Sequence, residues 1–85
     1  MIWFLWNGGC SYSPGAFPAD LETFPSLTAA MVEFENRIFN RDRHTPCVEG
    51  STAHVWFSDP SNDRDPYPDR VIEQYEGTKI RTYPA

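Results

Sequence analysis

One proline-punctuated loop holds the residues whose type and spacing could bind a hard cation. They are Asp59, Asp63, Asp65 and Asp69. Carboxylates are suitable calcium ligands, but the spacing lacks the central glycine and the terminal glutamate of an EF-hand. Arg64 and Arg70 can also neutralise the same aspartates. We therefore predict Asx turns and salt-bridged loop structure here rather than a calcium site.

Nitrogen and sulfur ligands suggest tetrahedral zinc or a thiol nucleophile. The candidates are Cys10, His44, Cys47 and His54. Only His44 and Cys47 are closely spaced, whereas structural zinc usually draws on paired knuckles. Neither a Cys47–histidine pair nor Ser11 or Ser13 has a supporting catalytic motif. Asn7-Gly8-Gly9 lacks the lysine of a phosphate loop and predicts a turn. We predict no catalytic residue, no metal and no cofactor, and two reduced thiols.

Composition limits the function classes further. The chain has 85 residues and a net charge of −5, from twelve acidic and seven basic side chains. This length predicts one domain over residues 1–85, and the acidic balance disfavours binding to nucleic-acid phosphates or to an anionic membrane. The first apolar run is far shorter than the roughly 20 residues of a spanning helix and lacks a basic region before it. We expect a cytoplasmic protein.

The elements that must position these residues can be read from apolar spacing. Apolar residues at three- and four-residue intervals predict one amphipathic helix from Leu27 to about Phe39 or Asn40, with Ser26 as its N-cap and Asn40 as its C-terminal cap. Glu33 and Arg37 are expected to pair on its wet side. Aromatic and β-branched content predicts five strands. They are 2–6, 21–24, 53–57, 71–75 and 79–83, with an antiparallel hairpin around Glu76-Gly77-Thr78.

The predicted fold is α+β, a mostly antiparallel sheet of four to five strands packed against one amphipathic helix, with the first strand central. That first strand is apolar on both faces. If Ile2, Phe4 and Trp6 face the helix, then Trp3, Leu5 and Trp56 face the other way; the assignment could equally be reversed. The second face must be covered by the loop from Cys10 to Ala19, by a second copy of the chain, or by another protein.

Three segments occur in an order that resembles a known group of proteins. They are Trp3-Phe4-Leu5-Trp6-Asn7-Gly8-Gly9, Glu22-Thr23-Phe24-Pro25-Ser26-Leu27 and Asp65-Pro66-Tyr67-Pro68-Asp69. The chain resembles small uncharacterised proteins that are encoded by phages of actinobacteria. Mycobacteria and their relatives are among the hosts of these phages. The resemblance covers most of the length, and its motifs are structural rather than chemical. It implies a protein made inside an infected bacterium.

Two function classes follow from these expectations. The first is a non-enzymatic protein that binds a host or phage protein, or a second copy of itself as a homodimer, through an aromatic sheet face with Trp3, Leu5 and Trp56 as the contacts. The second is an acidic nucleic-acid mimic that inhibits a host DNA-binding or defence protein. Mimicry requires carboxylates along one face at phosphate-like intervals, but arginines are interspersed among the acids.

Overall fold

The computed structural model describes residues 1–9, 14–39 and 50–85. In these ranges the chain forms one helix and five strands, which confirms the predicted α+β class. The elements are β1 (Ile2–Trp6), β2 (Glu22–Phe24), α1 (Leu27–Phe39), β3 (Thr52–Trp56), β4 (Arg70–Tyr75) and β5 (Lys79–Pro84). Each boundary that was predicted lies within one residue of the observed one. The predicted cap at Asn40 lies outside the described residues.

All strand pairs in the sheet are antiparallel, in the order β2-β1-β3-β4-β5. β1 is paired along both edges, so it is an interior strand as its two apolar faces predict, although β3 occupies the middle position. The hairpin between β4 and β5 turns through Glu76 and Gly77, both of which have a positive φ. Glycine reaches this left-handed region without steric cost.

The helix begins where its N-cap predicts. Ser26 Oγ accepts a hydrogen bond from the backbone N–H of Ala29 at 3.1 Å, and this satisfies one of the amide groups that the first helical turn leaves free. Ala30, Phe34 and Ile38 lie on one side of α1 and are fully buried. That stripe is the side of α1 that packs on the sheet.

The core lies between α1 and one face of the sheet. β1 supplies Ile2, Phe4 and Trp6 to it, and the indole ring of Trp6 lies 5.2 Å from the ring of Phe34. The other buried members are Ala30, Ile38, Ala53, Val55 and Ile72, with Phe24, Leu27, Met31 and Ile80 partly buried around them. The first of the two possible assignments of the β1 faces is therefore the observed one.

Arg37 is not on the wet side of the helix. Its guanidinium donates to Glu33 Oε1 at 3.2 Å, as its spacing predicts, but also to Glu22 Oε1 on β2 at 2.6 Å. The same group lies over the rings of Phe4 and Trp6, at 5.2 and 5.5 Å from their centroids. The helical period placed Arg37 off the apolar stripe, but the neighbouring β2 strand brings an acid close enough to draw its side chain over the core edge.

The segment that follows β1 depends on glycine. Gly8 and Gly9 have φ values of 106° and 108°, and a Cβ at Gly9 would lie 2.9 Å from both Cα and Cβ of Ser51. Only glycine combines this backbone conformation with such a close approach to the start of β3. Within the described ranges, no helix combines the length and the apolar character that crossing a membrane requires.

A candidate binding cleft on the outer sheet face

The sheet face that points away from α1 is called the outer face here. Trp3 on β1 is directly opposite Trp56 on β3, and Leu5 is directly opposite His54. His54 in turn is paired with Val71 on β4. Because side chains alternate along a strand, these residues share one face, and the outer face carries two tryptophans and a histidine across β1 and β3.

The chain itself covers part of this face. Gly15 donates its backbone N–H to the carbonyl oxygen of Trp6 at 2.7 Å. This hydrogen bond holds the backbone at Gly15 against the end of β1. A Cβ at Gly15 would lie 3.0 Å from Leu5 Cδ1. The Phe17 ring lies 5.9 Å from the Trp56 ring. Leu5 and Trp56 are consequently only 7% and 5% exposed, whereas Trp3 is half-buried.

Next to this cover is a cleft of about 500 Å³, a volume within the range of ordinary ligand pockets. We call it the outer cleft. Leu5, His54 and Trp56 of the sheet form its floor, Phe17 forms one wall, and the loop between β3 and β4 forms the other. The loop residues that line it are Arg64, Asp65, Pro66, Tyr67 and Pro68. Tyr67 is 79% exposed, so its ring is available at the rim.

The floor of the outer cleft carries an indole N–H without an acceptor. Trp56 Nε1 is buried and donates no hydrogen bond to any of the described residues. A buried polar group left in this state costs about 1 to 3 kcal/mol. The neighbouring imidazole of His54 stands edge-on to the Trp56 ring at 6.1 Å, and burial lowers the pKa of His54 below its ordinary value of 6.5. The floor is thus uncharged at neutral pH, and the indole nitrogen of Trp56 is itself shielded from solvent.

The aspartate loop is held by its own backbone. Asp59 Oδ1 accepts hydrogen bonds from both the backbone N–H and the hydroxyl of Ser61, at 2.9 and 2.6 Å, which is the predicted Asx turn. These bonds lower the pKa of Asp59. Asp69 Oδ2 accepts a hydrogen bond from the backbone N–H of Phe57 at 2.8 Å. The backbone N–H of Asp69 donates a hydrogen bond to the carbonyl oxygen of Val55. This second connection ends β3 before Phe57, which is exposed rather than packed with Val55 as its alternation predicts.

The expected ion pairs in this loop are not found. Within the described ranges, neither Arg64 nor Arg70 forms a salt bridge with an aspartate, and Arg70 Nε donates instead to Thr82 Oγ1 on β5 at 3.2 Å. β4 begins at Arg70, so its side chain follows the sheet register towards β5 rather than the loop. The same ranges contain no group of three or more histidine, cysteine, aspartate or glutamate residues that could hold a metal ion.

Most of the candidate zinc and nucleophile residues lie outside the described residues. These are Cys10, Ser11, Ser13, His44 and Cys47. His54 is the described member of the set, and it belongs to the floor of the outer cleft. The charged residues 41–43, which immediately precede His44 in the chain, also lie outside the described ranges.

A polar cluster continues the outer face across β4 and β5. Arg81 donates two hydrogen bonds to Glu73 Oε1, from Nε at 2.9 Å and from Nη2 at 2.6 Å, while the Tyr83 hydroxyl donates to Glu73 Oε2 at 2.9 Å. The guanidinium lies 4.6 Å from the centroid of the Tyr75 ring. Hydrogen bonds from Arg81 and Tyr83 lower the pKa of Glu73. These exposed aromatic and arginine side chains are therefore held in one arrangement.

The three residues predicted for protein binding share the outer face, but only Leu5 and Trp56 line the outer cleft. Trp3 lies beside it on β1, opposite Trp56. Sequence reasoning missed Phe17, Arg64 and Tyr67, which reach the cleft from two loops far apart in the chain. The aromatic residues in those proline-rich loops were the available signal. No protein-family model, curated protein or solved structure matches this chain.

Proposed function

We propose that this chain is a non-enzymatic phage protein that binds a host or phage protein through its outer face. The observation that carries the proposal is the outer cleft, a cavity of about 500 Å³ whose lining includes the exposed side chain of Tyr67. Exposed aromatic and arginine side chains of this kind are typical of the residues that dominate binding energy at interfaces. The phage origin rests on the resemblance of its three structural segments.

The cover over Leu5 and Trp56 changes how the surface works in this proposal. Leu5 on β1 and Trp56 on β3 do not need a partner protein to cover them, because Gly15 and Phe17 already bury these two side chains. Leu5 and Trp56 instead act as the floor of the cleft, and the direct contacts come from residues at its rim.

Site-specific photo-crosslinking tests this proposal. A photoreactive phenylalanine analogue is placed at position 67, at the rim of the outer cleft, and in a second variant at position 32. Val32 is also exposed, at 54%, but it is on α1 and so on the opposite side of the sheet. We expect an adduct with a protein only from position 67 when the chain is produced in an actinobacterial host.

The outcomes of the crosslinking separate the possible partners. An adduct of twice the mass of the chain identifies a second copy, and light scattering of the purified protein then measures the homodimer. Equal adducts from positions 67 and 32, or none from either, would contradict a binding role for the outer face.

Acidic mimicry of nucleic acid is the less supported function. Four of the glutamates form ion pairs with basic side chains: Glu22 and Glu33 with Arg37, Glu73 with Arg81, and Glu76 with Lys79. Each pair places a positive charge where a mimic needs an uninterrupted row of negative ones. A partner that binds the wild-type chain much more weakly at high salt would favour mimicry, since exposed charges are screened by salt.

A further inference from the structure

We propose that β5 pairs with β5 of a second copy of the chain and so joins the two five-stranded sheets into one continuous antiparallel sheet. The surface involved is the edge of the sheet rather than the outer cleft, so the inference does not depend on the proposed function. It follows from the backbone groups that β5 leaves unpaired and from the side chains that meet when two such strands pair.

β5 is an open edge of the sheet among the described residues. It is the last strand in the order β2-β1-β3-β4-β5, and it is 6 residues long. β2, at the opposite edge, has only 3 residues and is followed at once by Pro25. Unpaired N–H and C=O groups along an edge are a template for another strand, and short strands and prolines protect against such pairing. β5 is therefore the edge that is more open to a partner.

The direction of the backbone groups along β5 follows from one hydrogen bond at its end. Ala85 donates its backbone N–H to the carbonyl oxygen of Asp69, on the β4 side, at 3.3 Å. Successive residues of a strand direct these groups to alternate sides. Every second residue before Ala85 thus faces β4, whereas Ile80, Thr82 and Pro84 face the open edge. Ile80 and Thr82 each present an N–H and a C=O there, and Pro84 presents only its carbonyl oxygen.

The charges on β5 are balanced by acids of the same copy. Arg81 donates two hydrogen bonds to Glu73 on β4 and lies 4.6 Å from the ring centroid of Tyr75, also on β4, so its guanidinium leans away from the open edge. Lys79 forms an ion pair with Glu76 at 3.4 Å. Edge charges commonly prevent unwanted pairing. Here they oppose it less than unpartnered lysines or arginines would.

Two copies of β5 complement each other when Arg81 stands opposite Arg81 of the second copy. Ile80 then faces Thr82 of the other copy, and each of these residues donates and accepts one hydrogen bond, which gives four in the dimer. Lys79 stands opposite the ring of Tyr83 of the other copy, and this is a favourable cation–aromatic contact. Because facing residues share a side of the sheet, the outer faces of both copies would point the same way.

The neighbouring registers are less favourable. With Thr82 opposite itself, the ring of Pro84 replaces an N–H and meets the carbonyl oxygen of Ile80 in the other copy. With Ile80 opposite itself, Lys79 meets Arg81 of the other copy twice, and like charges directly opposite each other destabilise a sheet. In the preferred register like charges meet once, at Arg81, where an acid already binds each guanidinium.

Pairs of cysteine variants test both the pairing and its register. Lys79→Cys and Tyr83→Cys change exposed residues and are made separately in a chain whose Cys10 and Cys47 are replaced by serine. When the two variants are mixed, the new thiols face each other with Cα atoms about 4.5 Å apart, which a disulfide bond can span. Either variant alone places its two thiols four residues apart along the strands, roughly 13 Å. We expect a disulfide-linked dimer only from the mixture under mild oxidation.

Sedimentation velocity of the unmodified chain measures the pairing itself. Two strands of 6 residues give a small interface, so we expect a dimer fraction that rises between micromolar and millimolar concentration. Thr82→Pro removes an N–H that points away from β4, which leaves the sheet of its own copy intact but removes two of the four hydrogen bonds between copies. The dissociation constant should rise by roughly 5- to 150-fold. Thr23→Pro, in the middle of β2, is the matched control and should leave it unchanged.

Three results would overturn the inference: a monomer at every concentration, equal disulfide formation by the mixture and by either variant alone, or a dimer that Thr82→Pro and Thr23→Pro weaken equally. Crosslinking at position 67 separates these failures from failure of the proposed function. A monomeric chain that forms an adduct with another protein rejects the pairing and retains the binding role of the outer face. A dimer that Thr82→Pro dissociates, without any adduct at position 67, retains the pairing and rejects that role.

Discussion

Arg37 is the charged residue whose contribution to stability can be worked out most fully. Its side chain is 12% exposed, and its partner Glu22 is 40% exposed. Burial opposes the charge on Arg37, but hydrogen bonds and charge from Glu22 and Glu33 outweigh it and raise the pKa of Arg37. The positive charge is therefore retained at the edge of the core.

We predict a coupling free energy of about 1 to 2 kcal/mol between Arg37 and Glu22. A hydrogen bond to a charged group contributes about 1.5 to 3 kcal/mol, and the partial exposure of Glu22 reduces this value. Arg37→Met alone should cost more than the coupling, because it also removes the contacts over Phe4 and Trp6, worth about 0.5 to 1 kcal/mol each where solvent reaches them.

A double-mutant cycle with Arg37→Met and Glu22→Gln measures this coupling. Urea unfolding followed by tryptophan fluorescence is a suitable assay, since Trp6 lies directly beneath the guanidinium. Lys79→Met with Glu76→Gln is the matched control. That pair is 3.4 Å apart and 64% and 72% exposed, so its coupling should be about 0 to 0.5 kcal/mol. Equal coupling in the two cycles would refute the reasoning from burial.

Three further changes test the core, the first turn and the cleft floor. Phe34→Ala should lower the free energy of unfolding by about 3 to 5 kcal/mol, because its ring is fully buried against Trp6; a loss below about 1 kcal/mol on urea unfolding would contradict this packing. Gly9→Ala should lower the melting temperature, since its Cβ would meet Ser51 at a positive φ, whereas Gly77→Ala should have a smaller effect because nothing lies within 4 Å of its Cβ position. Burial lowers the pKa of His54, so the unfolded chain binds a proton at higher pH than the folded chain does. The free energy of unfolding is therefore full above pH 6.5 and falls as the pH drops below this value. His54→Gln should flatten the dependence of the urea midpoint on pH between about pH 7 and 5, and an unchanged slope would count against burial of the imidazole.

The secondary structure of this chain is readable because its local signals agree with one another. The apolar stripe of α1 begins one residue after Ser26, a good N-cap, and β1 ends just before Asn7-Gly8-Gly9, in which both glycines have a positive φ. The two apolar faces of β1 correctly indicate an interior strand. The start of the helix and its cap involve residues within about four positions of one another, which is the range that sequence patterns describe.

The limits of prediction appear where distant segments meet. Alternation predicts that β3 continues through Phe57, but Asp69 accepts a hydrogen bond from the Phe57 N–H and the strand ends at Trp56. The helical period likewise identifies Arg37 as lying off the core stripe without indicating that Glu22 would draw it over Phe4. Both differences arise from a carboxylate at least twelve residues away in the chain.

The outer cleft is the strongest example of this limit, because β1, β3 and two loops that are far apart in the chain all contribute to its lining. Gly15 is close enough to β1 to bury Leu5, and Phe17 reaches the Trp56 ring, but neither supplies an acceptor for the Trp56 indole N–H. A loop that served only to shield the outer face would gain from satisfying that donor, since leaving it unused costs about 1 to 3 kcal/mol. Whether that donor finds an acceptor depends on which residues two distant loops bring to it, and local sequence patterns do not contain this information.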